Sequence, residues 1–400
     1  MPLRPARSVL AALVLAGCAP SLAPPAAPPA ESVAGWDRVE RVAQGVRHLS
    51  RVGGAGPWAV HVVEVDRLAC GVELGTVKAA DRLQGRETTA ELARRAERFR
   101  QRPVLAALNA DFFSFTPPGV PTGAQVVGGE VVRGPGERAV LGVTGEGEPF
   151  IAGRVRLGGK LWLSQGLSAT LGRVNAPPAG DTLAVYNRYF GAATPTDTGV
   201  VELLVRRLRF PVAVGDTVRG VLVGSDTAAA GVAIPEDGVV FAARGRAADF
   251  LRLLTPPGDT VRWTLRFEPA PGPVREMVGG HPVLLRRGAE VPDAESGAAA
   301  EFSATRHPRS AVGWRADGTL LLVSVDGRQP GHSAGMSLAE MRALFRELGA
   351  VEALNLDGGG STALVVNGNV VNRPSDAGGE RPVANALVLL GPLPGTCRGP

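Results

Sequence analysis

The stretch Asn355-Leu356-Asp357-Gly358-Gly359-Gly360-Ser361-Thr362 concentrates more chemistry than any other part of this 400-residue chain. Apolar residues Val351, Ala353, Leu354 and Leu356 deliver an amide and a carboxylate to three consecutive glycines. Two hydroxyls follow, then a second apolar run from Ala363 to Val366. Three adjacent glycines are costly in backbone entropy. They are expected where a chain turns sharply or lets a ligand approach its N–H groups. Carboxylate, amide and hydroxyl groups beside such N–H groups suit sugar hydroxyls or a phosphate. An ordinary Gly-rich hairpin would account for the glycines alone.

Other polar clusters alternate with short apolar runs around this stretch. Upstream lie His307-Pro308-Arg309-Ser310-Ala311-Val312-Gly313 and Asp326-Gly327-Arg328, with His332 following. Downstream lie Asn372-Arg373-Pro374-Ser375-Asp376 and Glu380 to Leu387. The alternation predicts loops gathered at one edge of a sheet, where sites commonly form.

Taken in order, these motifs resemble the phosphodiester glycosidase family, that of the lysosomal uncovering enzyme. Leu108-Asn109-Ala110-Asp111-Phe112-Phe113 and Val278-Gly279-Gly280-His281-Pro282 extend the likeness upstream, so that it runs from about Val104 to Leu390. It is strongest over the last 90 residues or so. The resemblance implies hydrolysis of a sugar–phosphate diester and a phosphodiester-linked glycan as substrate.

Such a reaction needs an anion holder, groups for sugar hydroxyls, and a group that activates water or protonates a leaving oxygen. Arg309 is the first candidate for the phosphate, because a guanidinium makes paired, charge-assisted hydrogen bonds. The N–H groups of Gly358, Gly359 and Gly360 could complete that cradle. Arg328 and Arg373 are further candidates, with loop-supporting salt bridges as the alternative. Asp357 is the leading acid/base or nucleophile. Asp111 could be its partner, since glycosidases commonly place two carboxyls roughly 5–10 Å apart, or else a turn-forming side chain. His307 could donate a proton or simply orient Arg309. Asn109, Asn355 and Asn372 suit sugar hydroxyls, with Asp326, Ser361 and Thr362 as further binding residues. No nucleophile elbow surrounds Ser361. His281 and His332 are expected at the rim. Asp111, Asp326, Asp357 and Asp376 could offer oxygen ligands to Ca²⁺ or Mg²⁺, although no dense ligand loop is present.

The ends and the composition bound the setting. Arg4 and Arg7 precede a short apolar run ending Leu15-Ala16-Gly17-Cys18, as in a secretory signal of the lipoprotein type. The expectation is a signal over residues 1–17, lipidation at Cys18, and a Pro/Ala-rich tether over 18–35. The chain would then be an exported, membrane-anchored protein of the bacterial envelope. A formal charge of +5, reduced by two when Arg4 and Arg7 leave, is weak, and no basic cluster with interleaved aromatics argues for nucleic acid. Cys70 and Cys397 could pair in an oxidising compartment, but sequence does not show them to be close.

Strand-like runs bounded by Gly, Pro, Asp or Asn dominate the rest. They include Ala59 to Val65, Val104 to Leu108, Thr319 to Val325 and Ala384 to Leu390. Two helices stand out, each opened by a capping box: Thr88 with Glu91, and Ser337 with Glu340. Leu338, Met341, Leu344, Phe345 and Leu348 recur at helical spacing and form a core face. The expected fold is α+β, a strand-rich mixed sheet with a few packed helices. One domain over 36–400 is expected, with core motifs at 104–144 and 274–390. Residues 145–270 carry few site motifs and are expected to form a β-rich insertion or lobe. Two readings compete with the hydrolase: a non-catalytic glycan-binding envelope lipoprotein, and a metal-dependent phosphodiesterase cutting P–O.

Overall fold

The computed structural model describes residues 33–53, 56–66, 68–195, 199–226, 231–252, 257–393 and 395–397. The signal segment, Cys18 and nearly all of the 18–35 stretch lie outside the described residues.

Two antiparallel sheets stack face to face, and a helix covers the outer face of each. The larger sheet has eight strands. At its centre run Ala59–Val65, Leu320–Val325, Arg309–Arg315 and Ala350–Asn355. The smaller sheet has five, with Val104–Asn109 between Leu364–Val366 and Asn385–Leu390. Central strands read as unbroken apolar runs because both of their faces are buried. In Leu320–Val325, Leu320 and Leu322 point between the sheets, whereas Leu321, Val323 and Val325 point to the outer helix. In Asn385–Leu390, Leu387 and Leu389 face inward while Ala386, Val388 and Leu390 meet the other helix. This is the period-2 alternation of a strand.

The two covering helices are Thr89–Arg100 and Leu338–Glu347, both closed by the capping boxes read from sequence. Leu338, Met341, Leu344 and Phe345 are buried against the larger sheet. Each such side chain contributes roughly 1.5–3 kcal/mol, and truncating Phe345 to Ala would cost about 3–5 kcal/mol.

The rest of the chain departs from a single mixed sheet. A third sheet of five strands includes Glu130–Arg133, Ala139–Thr144 and Val274–Gly280. Seven strands between Arg156 and Glu268 close into a barrel, inside the stretch set apart in the sequence. The strand pairs are antiparallel except one in the barrel, where Leu171 pairs with Leu183. Short connections join hairpins such as Arg309–Arg315 with Leu320–Val325, and short connections favour antiparallel partners. The barrel packs its own core, including Leu161, Leu203, Phe241 and Trp263. It also carries an amphipathic helix, Gly245–Arg252, that the sequence did not disclose. Cys70 and Cys397 form a disulfide across 327 residues.

Candidate active site

The two stacked sheets open at one edge, where strands from each end side by side. Val104–Asn109 runs on into Ala110-Asp111, and Ala350–Asn355 runs on into Leu356-Asp357-Gly358. Main-chain and amide hydrogen bonds stitch the ends together. Asp357 N–H donates to Ala110 C=O at 2.8 Å, and Leu356 N–H to Ser310 C=O at 2.8 Å. Asn109 Nδ2 donates to Asp357 C=O at 2.7 Å, while its Oδ1 accepts from Ser310 Oγ at 2.6 Å and Ala363 N–H at 3.1 Å. Asn385 Oδ1 accepts Asp111 N–H at 2.8 Å, and its Nδ2 donates to Gln125 Oε1 at 3.0 Å. Asn355 Nδ2 donates to His281 C=O and Leu356 C=O.

This frame presents two carboxyls of unlike character. Asp111 is fully buried. Its Oδ2 accepts Gly123 N–H at 2.7 Å and its Oδ1 accepts Thr122 Oγ1 at 3.1 Å. The carboxyl rests on Gly279, where a Cβ would stand 2.5 Å from Asp111 Oδ2. Burial pushes its pKa up to about 7, against the pull of those two hydrogen bonds and Arg138, and the charge of Asp357 adds to the rise. Asp357 keeps an open face. Burial on its other sides raises it to about 6, and the Ser361 hydroxyl, Gly358 N–H, Arg381 and Arg138 pull it back. Gly358 N–H reaches Asp357 Oδ1 at 3.0 Å. The Ser361 hydroxyl is buried beside it without a hydrogen bond of ordinary geometry.

Cations and aromatic rings surround these carboxyls. The Arg138 guanidinium lies 4.4 Å over the Phe112 ring and acts electrostatically on Asp111, Asp357 and His281. Phe302 stands edge-on to Phe112 at 6.2 Å and stacks with His281 at 6.5 Å. Burial, with Arg138, lowers the His281 pKa. On the other side, Arg381 grips Asp376 through two bonds of 2.8 and 3.1 Å. That ion pair lies directly against Gly360, where a Cβ would stand 2.1 Å from Arg381 Nη2. Arg328 lies against Gly359 and meets His307 Nδ1 at 3.1 Å. A carboxyl that can hold its proton, a second that loses it more readily, and fixed guanidinium groups are the parts of an acid–base site handling an anion. A cavity of about 780 Å³ lies at the far end of the Arg309–Arg315 strand, beside Phe150 and Trp314, away from these groups.

Residues 213–390 match the model of the phosphodiester glycosidase family. Over 87 residues the chain is 44% identical to the prophage-derived YomE of Bacillus subtilis. Over 82 residues it is 39% identical to mouse N-acetylglucosamine-1-phosphodiester alpha-N-acetylglucosaminidase. Residues 213–390 are thereby matched to a phosphodiester glycosidase domain. The matched segments are 22% and 20% of this chain and only 13% and 16% of those relatives' length. Two solved structures share the fold. A hypothetical protein from Synechocystis aligns over 92% of this chain and 64% of its own at a TM-score of 0.66 and 23% identity. A protein named as exported from Burkholderia pseudomallei aligns over 85% of this chain and 75% of its own, at 0.64 and 26%.

Within the phosphodiester glycosidase domain, the residues expected at the site divide into frame and surface. Arg309 belongs to the frame. Its Nε donates to Met336 C=O, its Nη2 donates to Phe302 C=O and Thr305 C=O, all at 2.9 Å, and its plane covers Phe302. Burial, with Arg328 nearby, lowers its pKa to about 10. A guanidinium engaged this way braces the loop before it and is not an open phosphate grip.

Asp326 is buried too, accepting from His332 Nε2, Asn372 Nδ2 and Arg373 N–H. Asn372 Oδ1 accepts Leu364 N–H at 2.7 Å. Asn109, Asn355, Ser361 and Thr362 are buried, and Gly360 is covered by Arg381. Asp357, Gly358, Gly359 and His307 keep partial exposure, whereas Arg328 and Arg373 are exposed. Burial, with Arg309 and Arg328, lowers the His307 pKa.

The crevice is also bordered by groups that the sequence reading did not name as site residues: Arg138 and Phe302, and Phe112 and Arg381 from within the quoted motifs. Arg138 follows Gly134-Pro135-Gly136-Glu137 in a chain with many arginines, so nothing local marked it. Among the described residues, no group of three or more His, Cys, Asp or Glu is placed to hold a metal ion. Asp326 and Asp376 instead face partners of their own.

Proposed function

We propose that this chain hydrolyses the glycosidic bond of sugar-1-phosphodiesters. The observation that carries the reading is the open carboxylate of Asp357 set near the buried carboxyl of Asp111, with Arg138 acting on both. Asp357, ionised above about pH 6, activates water or attacks the anomeric carbon. Charge develops on the departing phosphodiester oxygen, and Arg138 and Arg381 face it with fixed positive charge. A phosphate leaves more readily than a sugar alkoxide, so little protonation is required of the site. Asp111 is buried behind the crevice and carries its proton up to about pH 7; while neutral it adds no negative charge to oppose the Asp357 carboxylate. Phe112 and Phe302 offer an apolar wall to the sugar ring, and Arg328 borders the diester, whereas the Gly358 and Gly359 N–H groups are already bonded to Asp357 Oδ1 and Pro308 C=O.

The substrate is proposed to belong to the cell envelope or the extracellular medium, with the protein exported and anchored through Cys18. The Arg4-to-Cys18 sequence, the Cys70–Cys397 disulfide and the exported relative support that setting.

The test offers a soluble form beginning near Glu31 a panel of α- and β-linked sugar-1-phosphodiesters, starting with the N-acetylglucosamine diester of the mouse relative's name. Released sugar is followed by mass spectrometry beside Asp357→Asn. Release by the unmutated protein alone, with ¹⁸O from labelled water in the sugar, supports the reading. ¹⁸O in the phosphate and loss of activity with a chelator would move it to P–O cleavage. Binding without any product would leave a glycan-binding protein.

A further inference from the structure

Two arginines come near enough to repel each other where the third sheet meets the barrel, and among the described residues neither forms an ion pair with an acid. Arg133 ends the strand Glu130–Arg133, and Arg173 lies on the barrel strand Ser168–Val174. Side chains of the barrel pin the first strand in place. Asn175 Nδ2 donates to Val132 C=O at 2.9 Å, and Asn187 Nδ2 to Val131 C=O at 2.8 Å. Asn175 Nδ2 also reaches Asn187 Oδ1 at 2.8 Å, and Arg188 Nε holds Glu130 Oε2 at 2.9 Å. Next along, a Cβ on Gly134 would stand 3.8 Å from Val174 N, so the two main chains run in near contact.

This clamp holds Arg133 half-buried. Its Nε is enclosed and has no hydrogen-bond partner. The charge of Arg173 opposes its own, and Asp111 attracts it. Asp111 is a poor counterion, because it is buried and holds its proton to about pH 7. Comparable arginines elsewhere in the chain meet a carboxylate: Arg100 meets Glu276, and Arg95 meets Glu87. Two like charges held near each other without an acid repel, and an anion between them would relieve that repulsion.

Resting on the reading of the crevice as a glycosyl-phosphodiester site, we propose that Arg133 and Arg173 form a second anion subsite beside it. It takes a phosphate or carboxylate on the sugar unit next to the scissile diester, so the substrate class is a polyanionic glycan. A guanidinium fork suits either anion, and two neighbouring forks could share one. The barrel then serves selection, because it supplies Arg173 and fixes Arg133.

The experiment compares two soluble diesters that differ only in a phosphate on the neighbouring sugar. A third carries a carboxylate there. The readout is the ratio of kcat/KM for each charged substrate to that for the uncharged one, in the unmutated protein and in Arg173→Gln. Arg173 is exposed, so that variant tests the subsite without disturbing the clamp. A charge-assisted bond contributes about 1.5–3 kcal/mol, so the ratio should fall about tenfold or more, chiefly through KM. Whichever charged substrate shows the larger ratio names the anion. A ratio near one in the unmutated protein, or an unchanged ratio in Arg173→Gln, would overturn the proposal. Should no diester be cleaved, the functional reading fails by itself. The subsite is then read from thermal stabilisation by inorganic tripolyphosphate, which Arg173→Gln must weaken if the proposal is to stand.

Discussion

The main-chain N–H of Asp357 donates to the carbonyl of Ala110 at 2.8 Å. This bond ties together the ends of two strands from different sheets, one residue from Asp111 and at Asp357 itself. The relative position of the two carboxyls is therefore set by main chain and by the Asn109 side chain, not by mobile loops. A site built this way is organised before any substrate arrives.

Activity should follow a bell in pH. Asp357 must lose its proton to work as base or nucleophile, so the rate falls as pH drops through about 6. Asp111 must keep its proton, so the rate falls again as pH rises through about 7. The kcat/KM profile on a diester whose own charge is constant over this range would show both limbs. Asp111→Asn should remove the alkaline limb from whatever activity is left.

The same carboxyl makes stability depend on pH in an unusual direction. The folded pKa of Asp111 is raised from 3.8 to about 7. Between those values the folded state binds a proton that the unfolded chain has released, so this group's contribution falls as pH rises. At 1.36 kcal/mol per pKa unit, the loss approaches about 4 kcal/mol by pH 8. Asp111→Asn should therefore unfold at a higher urea concentration than the unmutated protein at pH 8. That advantage should shrink towards pH 4. A difference between the two proteins that does not vary with pH would refute the assignment.

Asn109→Ala should behave as a structural lesion. The amide is fully buried and joins Asp357, Ser310 and Ala363. Removing it leaves a carbonyl, a hydroxyl and an N–H short of a partner in the interior. The cost should be about 2–4 kcal/mol, read as a lower urea midpoint, with KM little changed at low temperature. A large rise in KM with full stability would restore Asn109 as a sugar ligand.

The contrast between Asn109 and Arg138 shows what was legible in the sequence. Strands such as Ala59–Val65 and Leu183–Tyr186, and both capped helices, follow from apolar periodicity and local hydrogen-bonding rules, so they were readable. The dense polar motifs fall at the edge where the candidate site lies. They did not say which polar groups face outward, because a buried amide bridging two sheets and an amide gripping a sugar share one residue type. Arg309 illustrates the same ambiguity: the backbone carbonyls of Phe302, Thr305 and Met336 claim its donors. Arg138 reaches the crevice through tertiary folding, and its neighbours in sequence carry no trace of that; Arg381 lies in a polar cluster that pointed to the edge without singling it out. The barrel's closure likewise depends on long-range pairing, such as Arg156 with Glu268.

The three consecutive glycines should not respond alike to a methyl group, and the difference isolates the role of Arg381. At Gly358 a Cβ would stand 2.6 Å from the Pro308 carbonyl oxygen, a main-chain atom that cannot easily give way. Gly358→Ala should therefore lower both stability and activity. At Gly359 the backbone is left-handed, with φ of 61°, so a side chain strains the loop whatever space it finds. Gly360 is free of that constraint. A Cβ there would meet the ends of two side chains, Arg381 Nη2 at 2.1 Å and Asp376 Oδ1 at 2.2 Å. Those ends can swing aside together as an ion pair. Gly360→Ala should thus keep its melting temperature within a few degrees while moving the Arg381 charge away from Asp357. If that charge helps to hold the diester, kcat/KM falls about tenfold or more. The Asp357 pKa should also rise, shifting the acid limb of the pH profile upward, because a neighbouring cation favours the ionised form. A normal rate with an unshifted acid limb would show that Arg381 only braces the loop.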